Sequence, residues 1–387
     1  MFEDLPNEVL HEILHKLPVK SLIQLRCVSK SFNSLITSPA FINFSFTRSH
    51  PDSNKLIVRY LDVTPHVERY KLIVEDNDNN DSSSSEQIQD FEFPLRSGWD
   101  YFELVGSANG LFCLHQGNNF HLWNPCIRKF ITLPTPCLFP CFLGFGFDSR
   151  NNDYKVVKIA RSAEFSLYQV SQPRVEVYSV SERSWRVARG GVSCPARITC
   201  SLLHQQPAFL NGALHFAAND WGDAQSLVVL SFDLSDEVFR VISLPNGNFG
   251  LGAKIGISVF NGLLSLLSYE CQHGSSVQCC SVWVMKEYDV VDSWIKLFTI
   301  ELNMLHWKVL GFLKNGHVLV QNTESRSHGS ELLSYDPKSE QVKNLGFYRS
   351  RWYSYSYADN YVENLVLLDK PNDVVSKRKV SKKRKCR

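Results

Sequence analysis

The chain has 387 residues, of which 44% are hydrophobic, 21% charged and 12% aromatic. These proportions are typical of a folded globular protein and exclude a disordered or collagen-like chain. The net charge is +2, but residues 376–387 carry eight Lys or Arg and no acid, so the remaining chain has a net charge of −6. An acidic body disfavours nucleic-acid binding, because phosphate contacts require a basic surface.

The sequence predicts neither a secretory signal nor a membrane-spanning segment. Acidic residues stand at positions 3 and 4, whereas a secretory signal opens with positive charge and continues into an apolar run. No stretch of about 18 apolar residues occurs. We therefore expect the eleven cysteines to be reduced thiols and, because no CxxC pair is present, we expect no structural zinc site.

Residues 1–46 have the pattern of a small helical module. Apolar residues recur at helical spacing after Pro6, after Pro18 and after Ser29. Proline fits the first turn of a helix and serine caps one, so all three positions suit helix starts. A module this short buries little apolar surface by itself. It is either a helical cap docked on the rest of the chain or a module that exposes apolar side chains to a partner.

The stretch HEILH at residues 11–15 spells the HExxH phrase of zinc proteases. No third ligand follows at a suitable spacing, and a catalytic zinc needs three protein ligands. Helical geometry places His11 and His15 opposite the stripe of Val9, Ile13 and Leu17, which predicts that both histidines face water. We therefore expect no metal, no cofactor and no catalytic residue in this module.

Residues 53–370 have the pattern of β-strands with a repeat of about 52 residues. One recurring phrase is Asn-Gly leading into an apolar strand, at residues 109, 211, 261 and 315. The second phrase joins an aromatic residue to a hydrophobe seven places on, across a polar turn. Its members are Trp123 with Phe130, Tyr178 with Trp185, Phe232 with Phe239 and Tyr335 with Val342, and a longer turn joins Trp283 to Trp294.

Such a repeat, with about four strands per unit, predicts a β-propeller, because each sheet can bury its faces only against its neighbours in a ring. The 318 residues from 53 to 370 hold six units. We expect the sixth to combine strands near Leu56, Lys71 and Phe91 with a closing strand near Leu365. An open stack of sheets or two β-sandwiches is the alternative. The predicted fold class is α+β multidomain, with helices at 1–46 and an all-β propeller at 53–370.

Two segments are expected outside the packed core. Residues 76–87 (DNDNNDSSSSEQ) predict an acidic flexible loop, and residues 375–387 predict a disordered basic tail. The tail is a candidate nuclear-import signal, so we expect the protein in the nucleus, the cytoplasm or both. The candidate import residues are Lys377, Arg378, Lys379, Lys382, Lys383, Arg384 and Lys385.

The N-terminal phrases resemble an F-box: LP at residues 5–6, IL at 13–14, LPVKSL at 17–22, RCVSKSF at 26–32 and SPAF at 38–41. Phe32 stands where plant members commonly carry Trp, so an aromatic residue is retained. GSANGLFCL (106–114), WNPCIRKFITLP (123–134) and GFGFDSRNNDYKVVKI (144–159) resemble the F-box-associated domain of plant F-box proteins. The repeats of that family are described as kelch-like, although the typical kelch glycine pair is absent here.

The resemblance implies a non-catalytic substrate receptor of an SCF-type ubiquitin ligase. The F-box would dock on a Skp-type adaptor, and through it on a cullin and a RING protein, while the propeller would bind an unknown target protein. The alternatives are a propeller that binds a carbohydrate or small molecule, and a scaffold that acts outside the ligase. The implied adaptor-binding residues are Leu5, Pro6, Val9, Ile13, Leu14, Leu17, Pro18, Leu22, Leu25, Val28 and Leu35.

The target-binding residues are unknown from the sequence. The connections at 189–206, 269–280 and 324–331 are candidates, because recognition residues concentrate on loops. The alternating aromatics of residues 351–357 fit an interface patch or a strand, and their period of two favours the strand.

Overall fold

The computed structural model describes residues 7–42, 55–62, 67–74, 87–91, 102–117, 119–134, 141–160, 174–189, 198–200, 206–220, 226–245, 249, 253–271, 278–302, 307–322, 331–348, 357–367 and 369. Leu5, Pro6, the acidic segment 76–86, the aromatic stretch 351–356 and the basic tail lie outside these residues. The acidic loop was predicted to extend to residue 87, but Gln87 is the first residue of a strand.

Three helices open the described chain, and each begins where the sequence predicted. The second has Pro18 at its N-cap. The third has Ser29 at its N-cap, and the Ser29 Oγ accepts the backbone N–H of Phe32 at 3.1 Å. Residues 39–42 are helical again. The helices are α1 (Asn7–His15), α2 (Val19–Leu25) and α3 (Lys30–Ile36). No helix in the described ranges is long and apolar enough to cross a membrane.

The rest of the described chain forms antiparallel strands, with one short 3-10 helix at Val291–Ser293. The strands are β1 (Lys55–Asp62), β2 (Val67–Val74), β3 (Gln87–Phe91), β4 (Glu103–Ala108), β5 (Leu111–Gln116), β6 (Asn119–Asn124), β7 (Lys129–Leu133), β8 (Cys141–Asp148), β9 (Asp153–Ala160), β10 (Val175–Ser179), β11 (Ser184–Val187), β12 (Ile198–Cys200), β13 (Ala208–Leu210), β14 (Ala213–Asp220), β15 (Ser226–Asp233), β16 (Phe239–Ser243), β17 (Lys254–Phe260), β18 (Leu263–Cys271), β19 (Gln278–Met285), β20 (Trp294–Leu302), β21 (Trp307–Phe312), β22 (Val318–Asn322), β23 (Glu331–Tyr335), β24 (Val342–Tyr348) and β25 (Tyr357–Asn360).

The strands form six sheets, which are the six blades of a β-propeller. Blade 1 joins the two ends of the strand region in the order β25-β1-β2-β3. Blades 2, 3, 5 and 6 each use four consecutive strands, β4–β7, β8–β11, β17–β20 and β21–β24. Blade 4 has the order β12-β14-β15-β16, and β13 also pairs with β14, so its inner strand is divided in two.

Apolar clusters between neighbouring blades close the ring. Each of the six junctions between consecutive blades has its own buried cluster. At the junction that closes the circle, Leu319 and Leu332 of blade 6 pack against Leu56 and Val58 of blade 1. The sheets therefore bury their faces against one another, as the repeat predicted.

The predicted aromatic pairs face each other across the third and fourth strands of their blades. The residue five places after the leading aromatic has a positive φ in each of these turns, at Arg128, Arg183, Glu237 and Glu340. A left-handed residue at this position gives the four turns one common backbone form. The confirmed pairs are Trp123 with Phe130, Tyr178 with Trp185, Phe232 with Phe239 and Tyr335 with Val342.

The fifth predicted pair is wrong. Trp283 lies opposite Lys296, and Trp294 lies opposite Met285. The turn of residues 286–293 includes the 3-10 helix, and the β19–β20 ladder shifts its register between Val282 and Trp283. Because of the longer turn and the register shift, the number of residues between the two tryptophans does not predict which residues pair.

The closing strand is also different from the prediction. It is β25, whose residues Tyr357 to Asn360 pair with Arg59 to Leu56, and the segment near Leu365 lies beyond it. The strand predicted near Phe91 is β3, which ends at that residue. Leu365 has an apolar neighbourhood because it packs against the helices, and not because it belongs to a blade.

The ring has two distinct ends. Successive strands of a blade alternate in direction, so the turns between first and second and between third and fourth strands lie at one end, here called the turn end. The connections between second and third strands, and from one blade to the next, lie at the opposite loop end. The Asn-Gly turns after Ala108, Leu210 and Phe260 lie at the turn end, with positive φ at both residues of each.

Candidate functional site

The helical module packs one of its faces on the turn end of the ring. Ile127, in the turn between β6 and β7, contacts the helical cluster, and Leu365 lies within it at 1% exposure. The interpretation of the module as a docked helical cap therefore holds for this face. The buried residues of the cluster are Leu14, Leu22, Ile36, Phe41, Ile42 and Leu365.

The opposite face of the module exposes apolar side chains. Val9 and Ile13, one turn apart on α1, are 44% and 41% exposed, Val28 after α2 is 70% exposed, and Pro18 is exposed as well. A contiguous exposed apolar patch marks an interaction site, so these side chains are candidates for one. These side chains have the exposure that the second interpretation requires, and their contact with a partner stays a prediction. We call this surface the docking face and define it by Val9, Ile13, Pro18 and Val28.

The other implied adaptor-binding residues lie deeper. Leu17, Leu25 and Leu35 are half-buried against the helical cluster, and Leu14 and Leu22 are each 2% exposed within it. These two leucines therefore belong to the core of the helical module. Their contact with an adaptor stays a prediction, as does that of Leu5 and Pro6, which lie outside the described residues.

The prediction that His11 and His15 face water is wrong. The His15 ring stacks on Phe41 with centroids 4.3 Å apart, and the His11 ring meets the same Phe41 edge-on at 5.7 Å. The helical turn at residues 39–42 places Phe41 under α1, and the periodicity of α1 alone carries no information about that contact. Among the residues with described positions, no group of His, Cys, Asp and Glu is arranged to hold a metal ion.

The inner strands enclose a channel of about 850 Å³. Asp359 of β25 lines it, and its Oδ2 accepts hydrogen bonds from Tyr357 Oη at 2.5 Å and from Ser107 Oγ. The Asp359 Oδ1 accepts the backbone N–H of Asn360 at 2.7 Å. Burial raises the pKa of Asp359 to about 6, although the bonds from Tyr357 and Asn360 act in the opposite direction.

Two cationic side chains also line the channel. Arg59 of β1 is 3% exposed, and Lys308 of β21 extends into the same space. Desolvation by the surrounding strands lowers the pKa of Lys308. The channel therefore combines hydroxyl, carboxyl and cationic groups in one cavity. No spacing along the chain predicts this set, because its members come from blades 1, 2 and 6.

A buried ionic network joins blades 3 and 4. Lys155 Nζ lies 2.8 Å from Asp148 Oδ2 and 3.2 Å from Glu237 Oε1, and Arg186 binds both oxygens of Glu237, at 2.6 and 2.7 Å. Burial alone would raise the pKa of both carboxyls. The bonds from Lys155 to Asp148 and from Arg186 to Glu237 outweigh it and hold each pKa at about 2.

Asp233, Asp236 and Glu237 lie at the turn between β15 and β16, where an aspartate commonly caps its own backbone. Asp233 fits this pattern, since its Oδ1 accepts the backbone N–H groups of Ser235 and Asp236, both at 2.8 Å. Glu237 instead pairs with Lys155 and Arg186 in the ionic network. The network links blades 3 and 4, and each of its charged groups pairs with a group of opposite charge.

One constellation has the composition of a hydrolase triad. His317 Nδ1 lies 3.2 Å from Ser334 Oγ, and His317 Nε2 lies 3.9 Å from Asp336 Oδ1. A nucleophile must reach a substrate, but Ser334 is 4% exposed within β23. The constellation therefore offers no accessible site for acyl transfer.

The chain is similar to known families over both of its parts. The family model "F-box associated beta propeller domain" matches residues 60–356, and the model "F-box domain" matches residues 2–44. Among curated proteins of Arabidopsis thaliana, an F-box/kelch-repeat protein is 29% identical, covering 77% of this chain and 79% of the relative. F-box protein CPR1 is 28% identical, covering 77% and 73%.

Proposed function

The chain belongs to the F-box-associated β-propeller family of plant F-box proteins, and from this premise we propose that it is the substrate receptor of an SCF-type ubiquitin ligase. The docking face would bind a Skp-type adaptor, which links it to a cullin and a RING protein. The ring would bind a target protein, and the chain itself would perform no bond chemistry. The observation that carries the proposal is the exposed apolar face of a module whose other face is already buried on the ring.

The proposed target site and the proposed adaptor site would lie at opposite ends of the ring. The candidate connections at 189–206, 269–280 and 324–331 leave their strands at the loop end, whereas the helical module packs on the turn end. A target at the loop end would not compete with an adaptor on the docking face. Holding both at once raises the effective concentration of target near the conjugating enzyme, which is how a receptor without catalytic residues accelerates transfer.

The adaptor contact is tested by charging the docking face. We expect Ile13→Asp combined with Val28→Asp to abolish co-purification of the adaptor and cullin, because a buried carboxylate has no partner in an apolar interface. Val342→Asp is the matched control, since Val342 is 51% exposed on β24 of blade 6 and does not belong to the helical cluster. Loss of adaptor with Leu5→Ala and Pro6→Ala would extend the face to those residues.

Two results would oppose the receptor proposal. Retention of the adaptor by the doubly charged variant would show that the docking face is not the adaptor site. Co-purification of the wild-type chain with the adaptor but without cullin would favour a scaffold that acts outside the ligase.

The channel supports a second candidate function, the binding of a carbohydrate or small molecule. Its volume of about 850 Å³ lies within the range of about 300–1,000 Å³ usual for ligand pockets. Native mass spectrometry of the chain expressed in plant cells should then show a bound mass that Lys308→Met diminishes. The mass of the bare protein alone, in wild type and variant, would contradict this function.

The basic tail is proposed to act as a nuclear-import signal through its Lys and Arg residues at 377–385. The observation behind it is the charge of the sequence, eight Lys or Arg in residues 376–387. A fluorescent fusion that lacks residues 376–387 should shift from the nucleus to the cytoplasm. An unchanged distribution would count against import by the tail.

A further inference from the structure

The segment that follows β25, residues 361–367, is fixed to the turn end of blade 2, and we call it the clasp. Its central residue Asn364 is 2% exposed. The Asn364 Nδ2 donates to the carbonyl oxygen of Asn109 at 2.7 Å, and its Oδ1 accepts from Asn124 Nδ2 at 2.7 Å. Asn124 also donates to the carbonyl oxygen of Val366 at 2.9 Å. Buried amides that satisfy one another in this way hold a chain in one path.

Steric contacts restrict the path further. A Cβ at Gly110 would lie 1.9 Å from the carbonyl oxygen of Val362, so the clasp crosses the Asn-Gly turn at the closest approach that glycine allows. Leu367 is 2% exposed in the cluster between blades 2 and 3 and has a φ of 70°. A leucine in the left-handed region persists only where its surroundings determine the conformation.

Between these fixed points, Leu365 turns toward the helical module. It is 1% exposed and packs with Leu14, Leu22, Ile36 and Phe41. A module of three short helices buries little apolar surface alone. Its core is therefore completed by a residue from the distant end of the chain, on a segment that the ring holds rigidly.

We propose that Leu365 is a positioning residue, which fixes the orientation of the docking face relative to the loop end of the ring. The inference rests on the proposed function, because orientation matters only if an adaptor and a target bind the same chain. Ubiquitin transfer to a target requires that the donor and acceptor groups keep a suitable relative position. Loss of orientation lowers the transfer rate without removing either binding site. Leu365 would thus act on geometry and leave the exposed docking face unchanged.

The test measures orientation directly in the full chain. Spin labels on unnatural amino acids at the exposed positions 24 and 338 report the distance between the module and blade 6. We expect Leu365→Ala to broaden the distance distribution and to raise amide exchange in α1–α3 by roughly tenfold or more, with adaptor binding retained. Leu365→Met, which refills the volume, should restore both. Leu319→Ala is the matched control, since Leu319 is equally buried at the junction of blades 6 and 1.

Two outcomes would overturn the proposal: a distribution and exchange in Leu365→Ala that match wild type, or the same change in Leu319→Ala. If Leu365→Ala does not fold, the smaller truncation Leu365→Val is measured in the same way and must show a graded effect. The measurements need no adaptor. If the wild-type chain fails to bind an adaptor, the proposed function is wrong. The measured effect of Leu365 on the orientation of the module can still be interpreted.

Discussion

Lys155 lies between two buried carboxylates, and its substitution tests the joint between blades 3 and 4. The side chains of Lys155, Asp148 and Glu237 are 4%, 0% and 1% exposed. Removing the cation leaves buried charges with one partner fewer, which typically costs about 3–5 kcal/mol. We expect Lys155→Met to lower the free energy of unfolding by that order, measured by urea denaturation.

The matched control is Arg150, which binds both oxygens of Asp236 at 2.9 Å on the surface of the same network. Its side chain is 59% exposed, and exposed ion pairs contribute little because water screens them. Arg150→Ala should leave the urea midpoint unchanged. Equal losses in the two variants would show that burial does not control the strength of this network.

Asp359 should give the ring closure a pH dependence. Its folded-state pKa of about 6 is above the ordinary aspartate value of 3.8, so the folded chain binds the proton more tightly than the unfolded chain. The associated stability is present below pH 4 and is lost as the pH rises through about 6. Relative to Asp359→Asn, the wild-type chain should lose about 2–3 kcal/mol between pH 4 and pH 7.5. Parallel stability curves across that range would contradict the assignment.

At the scale of the element, the Asn-Gly turns provide a matched pair. Gly110 and Gly212 have φ values of +77° and +75°, but only Gly110 has a close neighbour, the carbonyl oxygen of Val362. Gly212→Ala should cost about 1 kcal/mol from backbone strain alone. Gly110→Ala should cost several times more, because the clasp must move. Thermal unfolding of the two variants measures the difference, and equal shifts would argue against a tight contact between turn and clasp.

Sequence patterns predict those strand pairings whose partner residues are close together along the chain. The pair of Trp123 and Phe130 and the left-handed residue Arg128 belong to one turn, so their spacing alone predicts their contact. The closing strand has no such signal. In β25, only Ala358 packs in the cluster with blade 6, while Asp359 lines the channel, so the strand has no apolar run to recognise.

For the candidate site too, part could be predicted from the sequence and part only from the fold. The family resemblance identified the apolar residues of α1, but Val9 and Leu14 look alike in sequence, and only the fold shows that one is exposed and the other buried. Leu365 has the appearance of a strand residue because burial against helices and burial within a sheet select the same side chains. Sequence thus identifies the apolar residues, whereas the fold is needed to show which of them are buried and what covers them.

At the scale of the whole molecule, ring closure depends on the C-terminal part of the chain. A chain that ends at residue 356 lacks β25, its ladder to Leu56–Arg59 and Leu365. A chain that ends at residue 369 retains all three. We expect the shorter chain to lose about 5 kcal/mol or more, which is most of the stability of a typical domain, and to expose the inner edge of blade 1 to aggregation.

Tryptophan fluorescence in urea and size-exclusion chromatography distinguish the two chains. The chain ending at 369 should unfold at the wild-type midpoint and elute as the full chain does, since it retains β25, the ladder to Leu56–Arg59 and Leu365. The chain ending at 356 should unfold at lower urea and elute as larger species. If it instead unfolds at the wild-type midpoint, the ring is held by its inter-blade clusters alone, and β25 does not close it.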